Sequence, residues 1–316
     1  MKVVVAGGTG FVGNALVRRL LDEKHHVIVL SRNAGTSMGF PGGDLRIEPW
    51  DGRSTGGWTG QLEGADAVVN LSGEGIADKR WSAERKKRLI SSRLDSTKAL
   101  VDAIEKCSKR PKVLVNASAV GYYGVAEDSE VDEASPKGTG FLADLCAEWE
   151  RQARKAEALG VRVVMLRLGV VIGKGGGALQ KFILPFNLFI GGPLGSGRQY
   201  FPWVHRDDVV GAILYVLQDD RLAGPVNVSA PDSLTMSQFC RVLGKAMDRP
   251  SWAPVPSFML KMLLGEMSSM VLTGQRAVPR KLREAGYRFC YPDAESALKS
   301  LFKTLFRSGP DVNGPG

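Results

Sequence analysis

MKVVVAGGTGFVG, residues 1–13, joins a short β-branched run, Met1 to Ala6, directly to a glycine-rich turn. An amphipathic stretch, Asn14 to Glu23, follows, so the glycines lie where a buried strand becomes a helix. Each has a mechanical task at such a junction. Gly7 permits the tight turn, Gly10 lets the backbone approach a pyrophosphate, and Gly13 lets helix and strand pack closely. The helix amino terminus adds free N–H groups and a partial positive charge for phosphates. One glycine would signify only a turn. Three at this spacing, between strand and helix, predict dinucleotide binding by Gly7, Thr9, Gly10, Phe11, Val12 and Gly13.

Working outward, strands and helices alternate over the first 170 or so residues. His26–Leu30 reads as a second strand, Leu45–Pro49 as a weak third, Ala65–Leu71 as a fourth and Lys112–Ala117 as a fifth. Val161–Ile172 reads as a sixth, and long helices are expected at Ala83–Cys107 and Phe141–Gly160. The alternation predicts an α/β fold, a Rossmann-type doubly wound parallel sheet with helices on both faces. Its domains are expected to be a nucleotide-binding core over 1–172, with returning elements around 203–230, and a smaller mixed C-terminal substrate or cap region over 173–306. A helix is expected at Thr235–Met247, and an extra segment beginning near 250 carries further helices at Ser257–Gly265 and Ala294–Phe306. The Gly- and Pro-rich tail over 307–316 is expected to be disordered.

Composition narrows the function classes. The net charge is +9, but the basic residues are scattered. The densest run, Arg85 to Arg88, carries none of the interleaved aromatics that stack bases, so nucleic acid is not expected as a partner. Cys107, Cys146, Cys240 and Cys290 form no CxxC pair, which predicts neither metal nor disulfides. No apolar run reaches the ~18 residues of a membrane span. The chain opens on a core strand rather than a secretory signal, so the cytoplasm is expected, or an organelle matrix or stroma if a transit peptide has been removed.

Ligands of such sheets lie beyond the carboxyl ends of the strands. The second strand ends in Leu30-Ser31-Arg32, where an NAD site would place an acid for the ribose 2′-hydroxyl. Ser31 and Arg32 suit a 2′-phosphate instead, and predict NADP. The fourth strand ends in Asn70-Leu71-Ser72-Gly73, small enough to pass beside adenosine and pyrophosphate. On the next helix Arg88 or Arg93 would reach a phosphate, or both would only solvate the helix.

Together these residues resemble the extended short-chain dehydrogenase/reductases. The first turn matches their TGxxGxxG with Ala6 for threonine, and residues 70–73 resemble their NxAG strand end. Residues 118–124 (SAVGYYG) resemble their SSxxVYG segment, and residues 201–209 (FPWVHRDDV) their FIHVDD segment. Closer still is the epimerase-like 39U branch, matched at Arg80-Trp81, Ser92-Arg93, Glu148-Trp149-Glu150, residues 175–178 and residues 192–197. The resemblance implies a homodimer built on the helices at 83–107 and 141–160, and Leu168 on the nicotinamide side. One departure matters. The superfamily's catalytic tyrosine, with a lysine four residues later, falls on Phe141 and Leu145 or one residue further on, and the pair is absent in either register. Ser118 and Tyr122 are then the remaining catalytic candidates. A tyrosine needs a partner that lowers its pKa to act near neutral pH, here the nicotinamide ring or a nearby arginine; otherwise it is pocket wall. Asp207 is a candidate N-cap, and the glycine runs near Gly175 and Gly192 are expected to be mobile covers. The expected function is an NADP-dependent oxidoreductase of unknown substrate. The alternatives are an NADP(H)-binding regulator or redox sensor, and a nucleotide-sugar epimerase.

Overall fold

A computed structural model describes residues 1–33, 39, 43–126 and 128–302. The first half runs β1 (Lys2–Ala6), α1 (Phe11–Asp22), β2 (His26–Ser31), β3 (Leu45–Pro49), β4 (Ala67–Asn70), α2 (Ala83–Glu105), β5 (Val113–Ala119), β6 (Glu130–Val131) and α3 (Phe141–Arg154). Then come β7 (Arg162–Leu168), β8 (Val170–Gly173), β9 (Gly176–Gly177), α4 (Leu179–Asn187), β10 (Tyr200–Phe201), β11 (Trp203–His205), α5 (Arg206–Gln218) and β12 (Gly224–Val228). The last part holds β13 (Leu234–Thr235), α6 (Met236–Met247), α7 (Ser257–Leu264), α8 (Ser269–Leu272), β14 (Arg276–Ala277), α9 (Arg280–Glu284) and α10 (Ala294–Phe302).

Seven strands form one sheet in the order β12-β7-β5-β4-β1-β2-β3, every neighbouring pair parallel. The two-residue alternation of a strand is why both faces need cover. Val3 and Val5 enter the core under α1 and α5, while Val4 and Ala6 enter the one under α2. The strand order reverses between β1 and β4, and that switch point leaves a crevice at the carboxyl edge.

A third core, around Phe186, Trp203, Phe239 and Leu298, holds the C-terminal elements together. It is bordered by the small sheet β11-β8-β9 and the pair β10-β13. The expected sixth strand is in fact two. β7 stays in the main sheet, and β8 leaves to pair with β11. The break is at Gly169, where a Cβ would lie 2.3 Å from the Pro202 carbonyl oxygen. The helix expected to reach Gly160 ends at Arg154 and tightens into a 3-10 turn over Lys155–Leu159. The 307–316 tail lies outside the described residues. No described helix is long and apolar enough to cross a membrane, and no described cluster of His, Cys, Asp and Glu could hold a metal.

Candidate functional site

The crevice at the switch point is lined by Gly7, Thr9, Gly10, Ser31, Arg32, Leu71, Ser72, Gly73 and Arg88, all expected from the sequence. Their positions follow from local physics. Gly7 has φ +79°, and a Cβ there would lie 2.7 Å from the Leu71 carbonyl. A Cβ on Gly13 would lie 2.1 Å from the Gly7 oxygen, so that glycine serves the helix–strand contact. Gly10 differs: its added Cβ would meet only the Gly7 oxygen, at 3.3 Å. Its open side belongs to the crevice. No side chain caps α1, so its first N–H groups remain available to an anion.

The Leu71–Gly73 rim is held from below. Asn70 accepts from the Ser72 N–H at 3.1 Å, and its amide donates to Asn116 at 2.7 Å and Thr97 at 2.9 Å. Trp149 donates to the same Thr97 hydroxyl at 2.9 Å. Of the two arginines that could reach a phosphate, Arg93 is held by the protein itself. Arg93 donates to the carbonyls of Leu89 at 3.1 Å and Glu74 at 3.0 Å, with its cation over Trp149, and it does not line the crevice. Arg88 does line it, and neither Arg88 nor Arg32 has an ion-pair partner among the described residues. Five residues separate Arg88 from Arg93, which turns them about 140° apart on a helix. They therefore face different neighbours.

Phe11, Val12 and Leu168 also stand outside the crevice lining. The Phe11 ring packs so closely under Gly173, Gly176 and Gly177 that added Cβ atoms would lie 2.9, 2.4 and 2.8 Å from it. Arg206 closes its other side, 5.2 Å from the ring centre, and donates to the Lys174 carbonyl at 3.1 Å. Gly173, Gly176 and Gly177 are therefore a packing seat for Phe11, while Gly175 itself, at φ +81°, has nothing within 4 Å of an added Cβ. The run at Gly191-Gly192 packs likewise on Phe186 and Ala253.

Sequence reasoning missed Arg53, which lines the crevice from the turn after β3 beside Trp50, Asp51 and Gly52. Asp51 is occupied by that turn. It accepts from the Arg53 and Ser54 N–H groups and the Ser54 hydroxyl, which hold its carboxyl down at about 2. The signal for Arg53 in the sequence is its place just past the end of the third strand, as Arg32 follows the second and Leu71 to Gly73 the fourth.

At the ends of β5 and β7 the register sets Ser118 opposite Arg167. The Ser118 hydroxyl donates to Glu150 at 2.7 Å, and Arg167 grips the same carboxylate through Nε at 2.8 Å and Nη2 at 2.9 Å. Arg167 Nη1 donates to the Tyr123 hydroxyl at 3.0 Å, and Tyr123 donates to Asn227 at 2.6 Å. Burial pushes the Tyr123 phenol up to about 12. For Arg167 burial acts downward, but its bonds to Glu150 and the charge there outweigh it and keep it a firm cation. Tyr122 lies half-buried with that cation 3.5 Å from its ring centre, and its hydroxyl has no hydrogen-bond partner among the described residues. Ser118 and Tyr122 thus flank one arginine, but only Tyr122 has a free hydroxyl.

Phe141, at the expected tyrosine position, packs edge-on against Trp81 at 5.1 Å. In the alternative register Cys146 stands at the lysine position, an ionisable group after all. Burial pushes its thiol up to about 11, so it supplies no charge in place of the lysine. His205, not Asp207, caps α5: its Nδ1 accepts from the Asp207 N–H at 3.1 Å. Asp208 accepts from the N–H groups of Cys290 at 2.6 Å and Tyr291 at 3.0 Å, tying α5 to the C-terminal segment.

Comparison with known proteins agrees with this arrangement. The chain is 42% identical over 311 residues to the chloroplastic epimerase family protein SDR39U1 homolog of Arabidopsis thaliana, covering 96% of this chain and 87% of that one. It is 41% identical over 306 residues to epimerase family protein SDR39U1 of Bos taurus, covering 95% and 99%. Among solved structures, human SDR39U1 (isoform 2) with NADPH superposes with a TM-score of 0.86 at 36% identity, covering 96% of this chain and all (100%) of that one. Residues 255–301 match a domain of unknown function, DUF1731. The pattern of the NAD dependent epimerase/dehydratase family matches residues 3–229, from β1 through β12, and the chain belongs to that family.

Proposed function

We propose that this chain is an NADP(H)-dependent oxidoreductase of the extended short-chain dehydrogenase/reductase type, with Tyr122 as its proton donor. The observation that carries the cofactor is that Ser31, Arg32, Arg53 and Arg88 all line the crevice, with no acid at the end of β2. Three guanidinium groups suit a 2′-phosphate, which an adenosine ribose without that phosphate would leave unmatched. The NADPH held by the human relative supports the same reading. Gly7 to Gly10 and the uncapped α1 would hold the pyrophosphate, and Leu71 to Gly73 the adenosine side. When bound, the cofactor supplies or accepts the hydride.

The remaining chemistry falls to the chain's own groups. Arg167 fixes Tyr122 from beneath and presents it with a constant positive charge, the part the family's lysine would otherwise play. Glu150 neutralises the far side of Arg167 and takes up the Ser118 hydroxyl, so Ser118 acts by holding this frame. Over a panel of carbonyl compounds, Tyr122→Phe is expected to lower NADPH oxidation by about 10²-fold with NADPH affinity unchanged. Unaltered turnover in both Tyr122→Phe and Ser118→Ala would make these residues wall. A second reading, an NADP(H)-binding regulator without turnover, is favoured by Phe141 packed on Trp81 where a tyrosine would act. It becomes the better one if NADPH binds tightly and no carbonyl is reduced.

Cofactor choice is tested separately by fluorescence titration with NADPH and NADH. Arg32→Ala is expected to weaken NADPH by about 1–3 kcal/mol, the range for a charge-assisted contact, and Arg53→Ala should act in the same direction. Neither should alter NADH binding. Wild-type protein that binds NADH as tightly as NADPH would overturn the choice of NADP.

A further inference from the structure

Nine of the eleven large apolar side chains that stand exposed among the described residues fall in two short stretches, 184–190 and 252–263. Phe258 is 69% exposed, Met262 67%, Trp252 66% and Leu184 64%. The two stretches are neighbours in space. The Trp252 indole N–H donates to the Phe189 carbonyl at 2.9 Å, the Trp252 backbone N–H to Gly191 at 3.0 Å, and Leu194 bridges Val255 just beyond. Both helices also reach one segment at their other ends. Lys181 of α4 donates to the Ala77 carbonyl, and Glu266, just past α7, pairs with Lys86. On α7 the exposed residues 258, 259, 262 and 263 share one face, while Leu260 turns into the protein. A scattering of single apolar residues would need no explanation, but a contiguous set of this size marks a contact surface.

The charges around it select the partner. Lys181, Lys245, Arg249 and Lys261 belong to these elements and their flanks, against Asp248 and a Glu266 that is already paired with Lys86. The Arg249 guanidinium lies 4.6 Å from the centre of the Phe189 ring, at the edge of the apolar set. A two-fold contact with a second copy would set these four cations of each copy against a single unpaired acid of the other. An apolar face with a tryptophan, rimmed by long basic side chains, instead suits an acyl region beneath anionic headgroups. We propose that the α4–α7 face docks peripherally on an anionic phospholipid bilayer, lying on it without spanning it.

The test is co-sedimentation of the full chain with vesicles of phosphatidylcholine alone and of phosphatidylcholine with phosphatidylglycerol. Binding is expected to the anionic vesicles and to weaken as salt is raised. The double variant Phe258→Ser with Met262→Ser should reduce it by about ten-fold or more. NADPH binding should be unchanged, which also reports that the variant is folded. No sedimentation with anionic vesicles at low salt would overturn the proposal. So would undiminished binding by the variant, or self-association of the wild type that the same variant abolishes while vesicles are ignored.

Discussion

Gly10→Val is expected to abolish binding of NADPH while leaving a folded protein. Gly10 has φ −76° and ψ 177°, an extended conformation that a β-branched residue adopts freely. An added Cβ meets nothing nearer than the Gly7 oxygen at 3.3 Å, so the fold has little reason to object. The valine methyls would instead stand in the crevice, over the uncapped start of α1, where the pyrophosphate must approach. The loss should exceed about a hundred-fold, close to 3 kcal/mol. Neighbouring glycines make the internal control. A side chain at Gly13 would run into the Gly7 carbonyl at 2.1 Å, so Gly13→Val should unfold the protein at lower denaturant rather than merely block the ligand. Circular dichroism and cofactor fluorescence, read on both variants, separate the two outcomes. A Gly10→Val protein that binds NADPH normally would remove this turn from the site.

The contrast among these glycines also shows what the sequence could and could not say. Strands buried on both faces are written as unbroken Val and Ile runs, and β1, β2, β4 and β5 are legible for that reason. The glycine spacing is likewise a local signal, because turn, phosphate approach and helix contact all occur within one turn of chain. Non-local contacts left no such trace. Val161–Ile172 reads as one strand because nothing in it announces the Pro202 carbonyl that meets it at Gly169. Nor does the glycine run announce the Phe11 ring that packs on Gly173, Gly176 and Gly177. Arg88 and Arg93 read as equal candidates for a phosphate contact, and only helical geometry, applied to their spacing, turns Arg93 toward Trp149. Glu150 is the fullest case. It lies in a Glu-Trp-Glu triplet with no hint that it will face an arginine 17 residues later across the sheet edge.

That pair yields the largest stability effect to be expected of one side chain here. Arg167→Met should destabilise the fold by about 3–5 kcal/mol, the cost of leaving one partner of a buried ion pair uncompensated. Arg167 is 2% exposed and Glu150 4%, so water cannot replace what the variant removes. Three bonds of the guanidinium are lost, two to Glu150 and one to Tyr123, together with the cation beneath Tyr122. The charge rather than the volume should dominate, and a second substitution checks this. Glu150→Gln keeps a carbonyl to accept from Ser118 but removes the stranded carboxylate, so Arg167→Met with Glu150→Gln should be more stable than Arg167→Met alone. Denaturant midpoints of the four proteins in this cycle measure the coupling. A single variant that loses less than about 1 kcal/mol, within the range of an exposed pair, would show that the pair is not the keystone of this edge. The same cycle bears on chemistry, because the frame that stabilises β5 against β7 also holds Tyr122. If the double variant regains stability but not carbonyl reduction, the buried pair is needed for the tyrosine's position and charge environment, and not only for the fold.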